Sequence, residues 1–302
     1  MLRIPAFHDR PTVAIAANEC QMNALEEIKA SKRFEFGANW TRFLAVLDDR
    51  RILDAEASMK AMLGVSRLDG LKFLDIGCGS GLSSLAARRL GAEVRSFDFD
   101  LQSVACATEL KRRYFPGDNA WHIEAGSVLD RPYLERLGQF DIVYSWGVLH
   151  HTGSMWVAIE NAISCVAAPR GTLFIAIYND QGWKSHAWWF VKFIYNRLPR
   201  LLKRPYVFAV SAITHLLVII KYSIKLKPMT AIAPILNDRR ERGMSARYDA
   251  VDWIGGFPYE FSSFDTLVAY FAERGFSLTN CTRIDSQGCN QFVMEKTGGI
   301  SR

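Results

Sequence analysis

No apolar run in this 302-residue chain reaches the roughly 20 residues that a membrane-crossing helix requires. Its six cysteines, Cys20, Cys78, Cys106, Cys165, Cys281 and Cys289, form no C-x-x-C pair and no His/Cys metal-ligand spacing. That scatter predicts reduced thiols in a cytoplasmic protein and no metal site. The N-terminus lacks a long apolar core behind a basic start, so no secretory signal is expected. Repeats and low-complexity tracts are missing too, and 49% apolar with 23% charged residues excludes disorder away from the termini. Acid is missing from one place: Gln181 to Asn237 carries nine cations and no carboxylate. Without that segment the 37 basic and 31 acidic residues become 28 and 31, and the net charge of +6 becomes −3. The basic excess therefore implies an anionic partner for this segment alone.

What is present is alternation. Apolar residues at three- and four-residue spacing (Leu44, Leu47, Ile52, Ala55, Met59) predict helix from about Cys20 to Leu63, closed by Gly64 and Gly70. Strands are then expected at Lys72–Ile76, Glu93–Phe97, Trp121–Ala125, Phe140–Ser145 and Thr172–Ile177. Helices at Leu82–Leu90, Leu101–Tyr114 and Met155–Ala167 separate most of them. After about 85 residues the pattern resumes with a helix over Ser263–Arg274 and strands at Phe276–Ile284 and Asn290–Glu295. Short loops between alternating strands and helices predict an α/β fold, a parallel sheet with helices on both faces. The boundaries expected are an N-terminal helical cap over 1–70, a sheet domain over 71–180 and 246–302, and a basic amphipathic helical insertion over 181–245.

The strongest local signal is Leu74-Asp75-Ile76-Gly77-Cys78-Gly79-Ser80-Gly81, between the first strand and the first helix of the sheet. Glycines there let the backbone turn tightly and come close to a ligand. A dinucleotide loop would read G-x-G-x-x-G and hold a pyrophosphate. Here the spacing is G-x-G-x-G, position 82 is leucine, and Asp75 sits two residues before the first glycine. An acid at that place suits a ligand with a cationic methionyl end. Asp98 ends the second strand, where a carboxylate accepts both hydroxyls of a ribose.

Together with Ser96-Phe97-Asp98, Gly126-Ser127-Val128 and the stretch from Phe140 to His151, this loop resembles the class I S-adenosylmethionine-dependent methyltransferases. Within them it is similar to the ubiquinone-biosynthesis O-methyltransferase branch. The resemblance covers Leu71 to Tyr178 well and the last forty residues loosely. It implies a Rossmann-like sheet with N-terminal helices and a basic helical insertion before the last helix and two strands, and S-adenosyl-L-methionine as methyl donor. It implies cofactor contacts from Asp75, Gly77, Cys78, Gly79, Gly81, Asp98 and Phe99. Ser127 and Val128 would border the adenine, and Trp146 the methionyl part.

His150 and His151 follow the fourth strand at its C-terminal end, where open α/β sheets build their sites. Imidazole titrates near neutrality and suits a base, so His151, or failing it His150, is the candidate that deprotonates the acceptor. Neighbours in a loop rarely both face a cleft, and either histidine would equally cap the next helix. The segment from Asp252 to Glu260 combines glycines, aromatics and two acids, as a lid, an acceptor wall or a packed surface turn would.

The insertion reads as two helices broken at Pro199 to Pro205, the second holding the charge-free fifteen residues Tyr206–Ile220. Both its ends must return to one sheet, which excludes a single crossing. What remains is a helical hairpin over 183–227 lying on an anionic membrane surface, or a lobe packed on the sheet or a second subunit. A charge-free stretch tracks phosphates poorly, so nucleic acid is not expected. The function expected is O-methylation of a small-molecule or lipid-linked acceptor: a quinone precursor, another lipid-linked phenol or a glycan. Two alternatives stand beside it: methylation of a soluble metabolite, with the insertion as a dimer or specificity lobe, and a peripheral membrane scaffold that only binds S-adenosylmethionine.

Overall fold

In the computed structural model the described residues are 34, 36–224, 251 and 253–297. The predicted helix over 20–33, the end of the insertion over 225–245, and Asp252 lie outside them. Two helices come first, α1 (Gly37–Leu44) and α2 (Asp49–Leu63). The helical region expected up to Leu63 divides here because Asp48 caps the second helix, its side chain accepting from Arg51 N at 2.9 Å. Gly64 closes α2 in the left-handed conformation, as expected.

The sheet follows as β1 (Lys72–Ile76), α3 (Leu82–Arg89), β2 (Glu93–Asp98), α4 (Leu101–Tyr114), β3 (Trp121–Ala125), α5 (Arg131–Leu137) and β4 (Ile142–Trp146). A 3₁₀ turn (Leu149–His151), α6 (Met155–Ser164) and β5 (Thr172–Tyr178) complete the first part. The insertion supplies α7 (Trp183–Arg197) and α8 (Arg200–Ile224), and the chain returns through α9 (Phe264–Ala272), β6 (Phe276–Thr282) and β7 (Cys289–Lys296). Strand order is β3-β2-β1-β4-β5-β7-β6. β1 to β5 are parallel; β7 runs antiparallel to both β5 and β6.

Alternate residues of each strand enter opposite cores, as a two-residue period dictates. Leu74, Val143 and Ile175 pack under α6 and α9, while Phe73, Ile142 and Phe174 pack under α2 and α3. A third cluster joins the insertion to the rest: Phe34, Tyr195 and Ile254, ringed by Trp188, Val191, Tyr206 and Trp253. Among the described residues no helix is long and apolar enough to cross a membrane.

Three expectations are corrected. α5 is an added element, started by Asp130, whose carboxylate accepts from Tyr133 N, with Pro132 in its first turn. The insertion breaks only at Leu198 and Pro199, where Leu198 takes the extended conformation (φ −71, ψ 142) that a following proline favours. Pro205 stays inside α8, near its start. And Lys192, one of the nine cations from which an anionic partner is expected, is wholly buried.

Candidate active site

A cavity of about 860 Å³ opens along the C-terminal ends of β1, β2 and β4. Ten of the expected residues line it: Asp75, Gly77, Cys78, Gly79, Asp98, Phe99, Ser127, Val128, Trp146 and His151. Gly81 and His150 are not among the lining residues.

The loop after β1 is folded by the end of β2. Gly77 N and Cys78 N both donate to Phe97 O, at 2.9 and 3.1 Å, and Gly79 N donates to Asp98 Oδ2 at 2.9 Å. Asp98 Oδ1 accepts from Asp100 N at 2.9 Å, so both carboxylate oxygens are oriented by the backbone. Gly79 has φ +54, and a Cβ there would stand 3.0 Å from the Trp40 ring, which α1 lays against the loop. α1 is in turn tied down by Gly37 N, which donates to Asp100 Oδ2 at 2.8 Å. Gly81 serves packing: a Cβ there would lie 2.9 Å from the Ala107 backbone, where α3 approaches α4.

Asp75 is buried and accepts from Ser84 Oγ at 2.5 Å. Ser84 and Ser96 hydroxyls are 2.7 Å apart, and Trp121 Nε1 donates to Ser96 at 3.0 Å. Burial, with the nearby Asp98 charge adding to it and the Ser84 bond opposing, raises the Asp75 carboxyl to about 7. Such a carboxylate is relieved by a cation beside it. Burial also pushes the Cys78 thiol well up, which keeps it protonated and makes it a wall rather than a nucleophile.

The two histidines differ. His151 Nδ1 lies 2.6 Å from Pro258 O; a carbonyl only accepts, so the proton is on Nδ1 and the neutral ring keeps its lone pair at Nε2. His150 Nδ1 accepts from Tyr178 N at 3.3 Å, which puts its proton on Nε2. His150 is fully buried, and burial first, then His151 and Lys192, lowers its pKa well below the usual histidine value. Glu260 supports this turn: its carboxylate accepts from Met155 N at 3.0 and 3.1 Å, and its amide donates to His150 O at 2.9 Å.

Beyond the glycine loop the cavity is walled by residues that the sequence does not place at the site. They include Phe36 and Trp40 from the N-terminal segment, Tyr178 at the end of β5, Trp188 on α7, and Ser211, Thr214 and His215 on α8. The run Phe34-Glu35-Phe36-Gly37 with Trp40 is the one local signal, an aromatic cluster with no strand or heptad to explain it. Trp253 and Ile254 give the Asp252–Glu260 segment a share in the wall. Among the described lining residues the acids are Asp75, Asp98 and Asp100, all on the glycine-loop side, and no Lys or Arg takes part. Among the described residues no three His, Cys, Asp or Glu side chains are grouped as ligands of a metal ion.

A seven-stranded sheet with this order, a glycine loop after its first strand and carboxylates ending its first two strands define a class I S-adenosylmethionine-dependent methyltransferase. The family model for a methyltransferase domain matches residues 48–279, and the chain belongs to that family. Ubiquinone biosynthesis O-methyltransferases of Brucella melitensis biotype 2 and Xanthomonas campestris pv. campestris are similar over one part of it. They are 29% identical over 112 residues and 34% over 114, which is 37% of this chain and 43% and 45% of those proteins. The chain thus spans less than half the length of these curated relatives. The structure of PKMT2 from Rickettsia typhi shares the fold, with a TM-score of 0.53 at 12% identity over 80% of this chain and 52% of that one.

Proposed function

We propose that this methyltransferase transfers a methyl group to a hydroxyl of an uncharged acceptor with an apolar body, such as a quinone precursor, a lipid-linked phenol or a lipid-linked glycan. The observation that carries the reading is the charge distribution around the cavity. The insertion helices hold seven of the nine cations between Gln181 and Asn237, yet no Lys or Arg is among the described residues of the wall they help to build. Aromatic rings and neutral hydroxyls fit an apolar, hydroxylated molecule and repel a phosphorylated or carboxylated one. The ubiquinone relatives are named for transfer to oxygen, which fits a hydroxyl acceptor.

The residues fit the cofactor. Asp98, its oxygens fixed by two amides, would hold the ribose hydroxyls; Asp75 would meet the cationic methionyl end; Ser127, Val128 and Phe99 would border the adenine, and Trp146 the sulfur side. When bound, S-adenosylmethionine supplies a methyl group activated for displacement by its sulfonium. The protein supplies alignment and a proton acceptor. With Nδ1 committed to Pro258 O, His151 takes the acceptor's hydroxyl proton at Nε2 as the new C–O bond forms.

We read the insertion as the surface that meets a membrane. On α8 large apolar residues turn outward beside the exposed Arg200 and Arg204: Leu201 is 87% exposed, Phe208 77%, and Ile213, Leu216, Leu217 and Ile220 follow at helical spacing. A second reading, methylation of a soluble metabolite, is favoured by Ser211, Thr214 and His215, which make α8 part of a specificity wall.

Methyl-labelled S-adenosylmethionine incubated with the protein and a cell extract tests both. Label is expected in the organic phase; label in the aqueous phase brings the second reading forward, and label in nucleic acid overturns both. His151→Ala is expected to lower turnover roughly 10²- to 10⁴-fold with S-adenosylhomocysteine affinity unchanged. A loss of less than tenfold removes His151 as the base.

A further inference from the structure

Lys192 stands on α7 in the most basic stretch of the chain, yet its side chain is wholly shielded from water. Its ammonium donates to the Trp253 carbonyl. It also lies 5.4, 4.9 and 4.8 Å from the ring centroids of Tyr178, Trp253 and Tyr259. One turn later Asn196 Nδ2 donates to Gly255 O at 2.8 Å, so α7 grips this segment at two carbonyls. The gripped segment continues to Pro258, whose carbonyl orients His151, and to Glu260, whose amide holds the His150 carbonyl. Both histidine rings pack on Tyr178, with centroids 3.9 and 5.3 Å away, and Tyr178 is one of the rings beside the ammonium.

We infer that Lys192 is a positioning residue of the methyl-transfer site, clamping the segment that orients His151 and setting a fixed positive charge behind the two histidines. Its catalytic consequence rests on the function proposed above; its effect on the histidines does not. An ammonium is costly to bury, and an apolar side chain of similar length would fill the same space without that cost. Ring faces and a carbonyl dipole offset part of it. What the charge adds is electrostatic: it opposes formation of imidazolium next to it. The groups around the turn are His150 and His151 themselves, Lys192, the phenols of Tyr178 and Tyr259, and Glu260, which faces the α6 amides. Burial raises the Tyr259 phenol, so it stays neutral. For His151 the contribution is geometric: the clamped segment holds Pro258 O against Nδ1, so the neutral ring carries its lone pair on Nε2.

The two histidines then carry opposite tautomers, which ring-nitrogen NMR distinguishes. In full-length protein with ¹⁵N-histidine, over about pH 5 to 8, one ring is expected to remain neutral with its proton on Nε2. Its neighbour should carry the proton on Nδ1. In Lys192→Met the His150 ring is expected to titrate at higher pH, and the Nδ1 signature of His151 to weaken. Methyl transfer into the accepting fraction of an extract should fall by about tenfold or more, with S-adenosylhomocysteine binding kept. Lys192→Arg should return the titrations toward wild type. Unchanged histidine titrations in Lys192→Met overturn the inference. Should that variant not fold, the wild-type spectra decide: His150 titrating near its ordinary value, or His151 protonated on Nε2 while neutral, overturns it equally. Titrations that follow expectation in a protein that labels no acceptor would count against the proposed function and leave this inference standing.

Discussion

Asp75 shows how much one buried residue governs. Trp121 can only donate, and Ser84 donates to Asp75, so Ser96 must donate to Ser84 and the whole chain points its protons at the carboxylate. Burial still dominates and raises its pKa to about 7 from 3.8. The folded chain therefore keeps a proton that the unfolded chain releases. That contribution to stability is complete below about pH 4 and is lost as pH rises to about 7. Wild type minus Asp75→Asn melting temperature, measured over that window, should fall with rising pH. A cation bound beside Asp75 reverses the balance, so S-adenosylhomocysteine should bind with proton release and more tightly as pH approaches about 7. Calorimetry in two buffers of different ionisation enthalpy reads this, and binding without proton release would remove Asp75 as the partner of the cationic end. Asp75, Asp98 and the glycines are legible in the sequence because one strand–loop–helix–strand unit carries them all. Lys192 is not legible: nothing in a run of cations tells which one folds inward, since its partners come from two other segments, the end of β5 and the stretch from 253 to 259.

At the level of elements, what can be read is what repeats locally. The strands of the sheet and the helices between them follow from apolar alternation to within three residues at each end, whereas the spatial strand order and the antiparallel run of β7 do not follow from it. α5 escapes because seven residues are too few to show a period, although Asp130 and Pro132 mark its start. The break inside the N-terminal helical region escapes because apolar spacing carries across Asp48. Gly81, expected at the ligand, is absent from the cavity lining and packs where two helices meet. Gly81 and Gly117 share a positive φ, +81 and +74, but a Cβ meets the Ala107 backbone at the first and nothing within 4 Å at the second. Gly117→Ala carries the backbone penalty alone, whereas Gly81→Ala adds overpacking between α3 and α4. Chemical denaturation should find Gly81→Ala less stable than Gly117→Ala by at least about 1 kcal/mol. Equal losses would mean that α3 and α4 adjust freely at this crossing, and that Gly81 is needed only for its backbone conformation.

For the molecule as a whole, the insertion has two opposed faces. Tyr195 and Lys192 turn one side of α7 toward the third cluster and the histidine turn, while Trp189 and Phe190 leave the other side exposed. α8 repeats the arrangement, with Val207, Val210 and Ser211 inward and Phe208, Ile213, Leu216 and Leu217 outward. A helix in water normally turns its apolar side inward, so an outward apolar stripe is unfavourable unless something covers it. Lys184, Arg197, Arg200 and Arg204 are exposed on the same two helices, and no acid accompanies them. A second protein surface would have to supply both apolar area and negative charge; an anionic bilayer presents both by construction. Each cation near such a surface contributes about 1 kcal/mol, an attraction that salt screens, whereas the apolar stripe adds a part that salt leaves untouched. Flotation with vesicles of increasing anionic lipid should therefore show rising binding at low salt and a smaller residual at high salt. Replacing Lys184, Arg200 and Arg204 with Gln should weaken binding roughly 10²-fold at low salt. Leu216→Asp together with Leu217→Asp should remove the residual instead. Neither set touches the glycine loop, so S-adenosylhomocysteine affinity should stay the same in both. A protein that ignores anionic vesicles at low salt and sediments as a stable dimer would assign the stripe to a second copy of the chain.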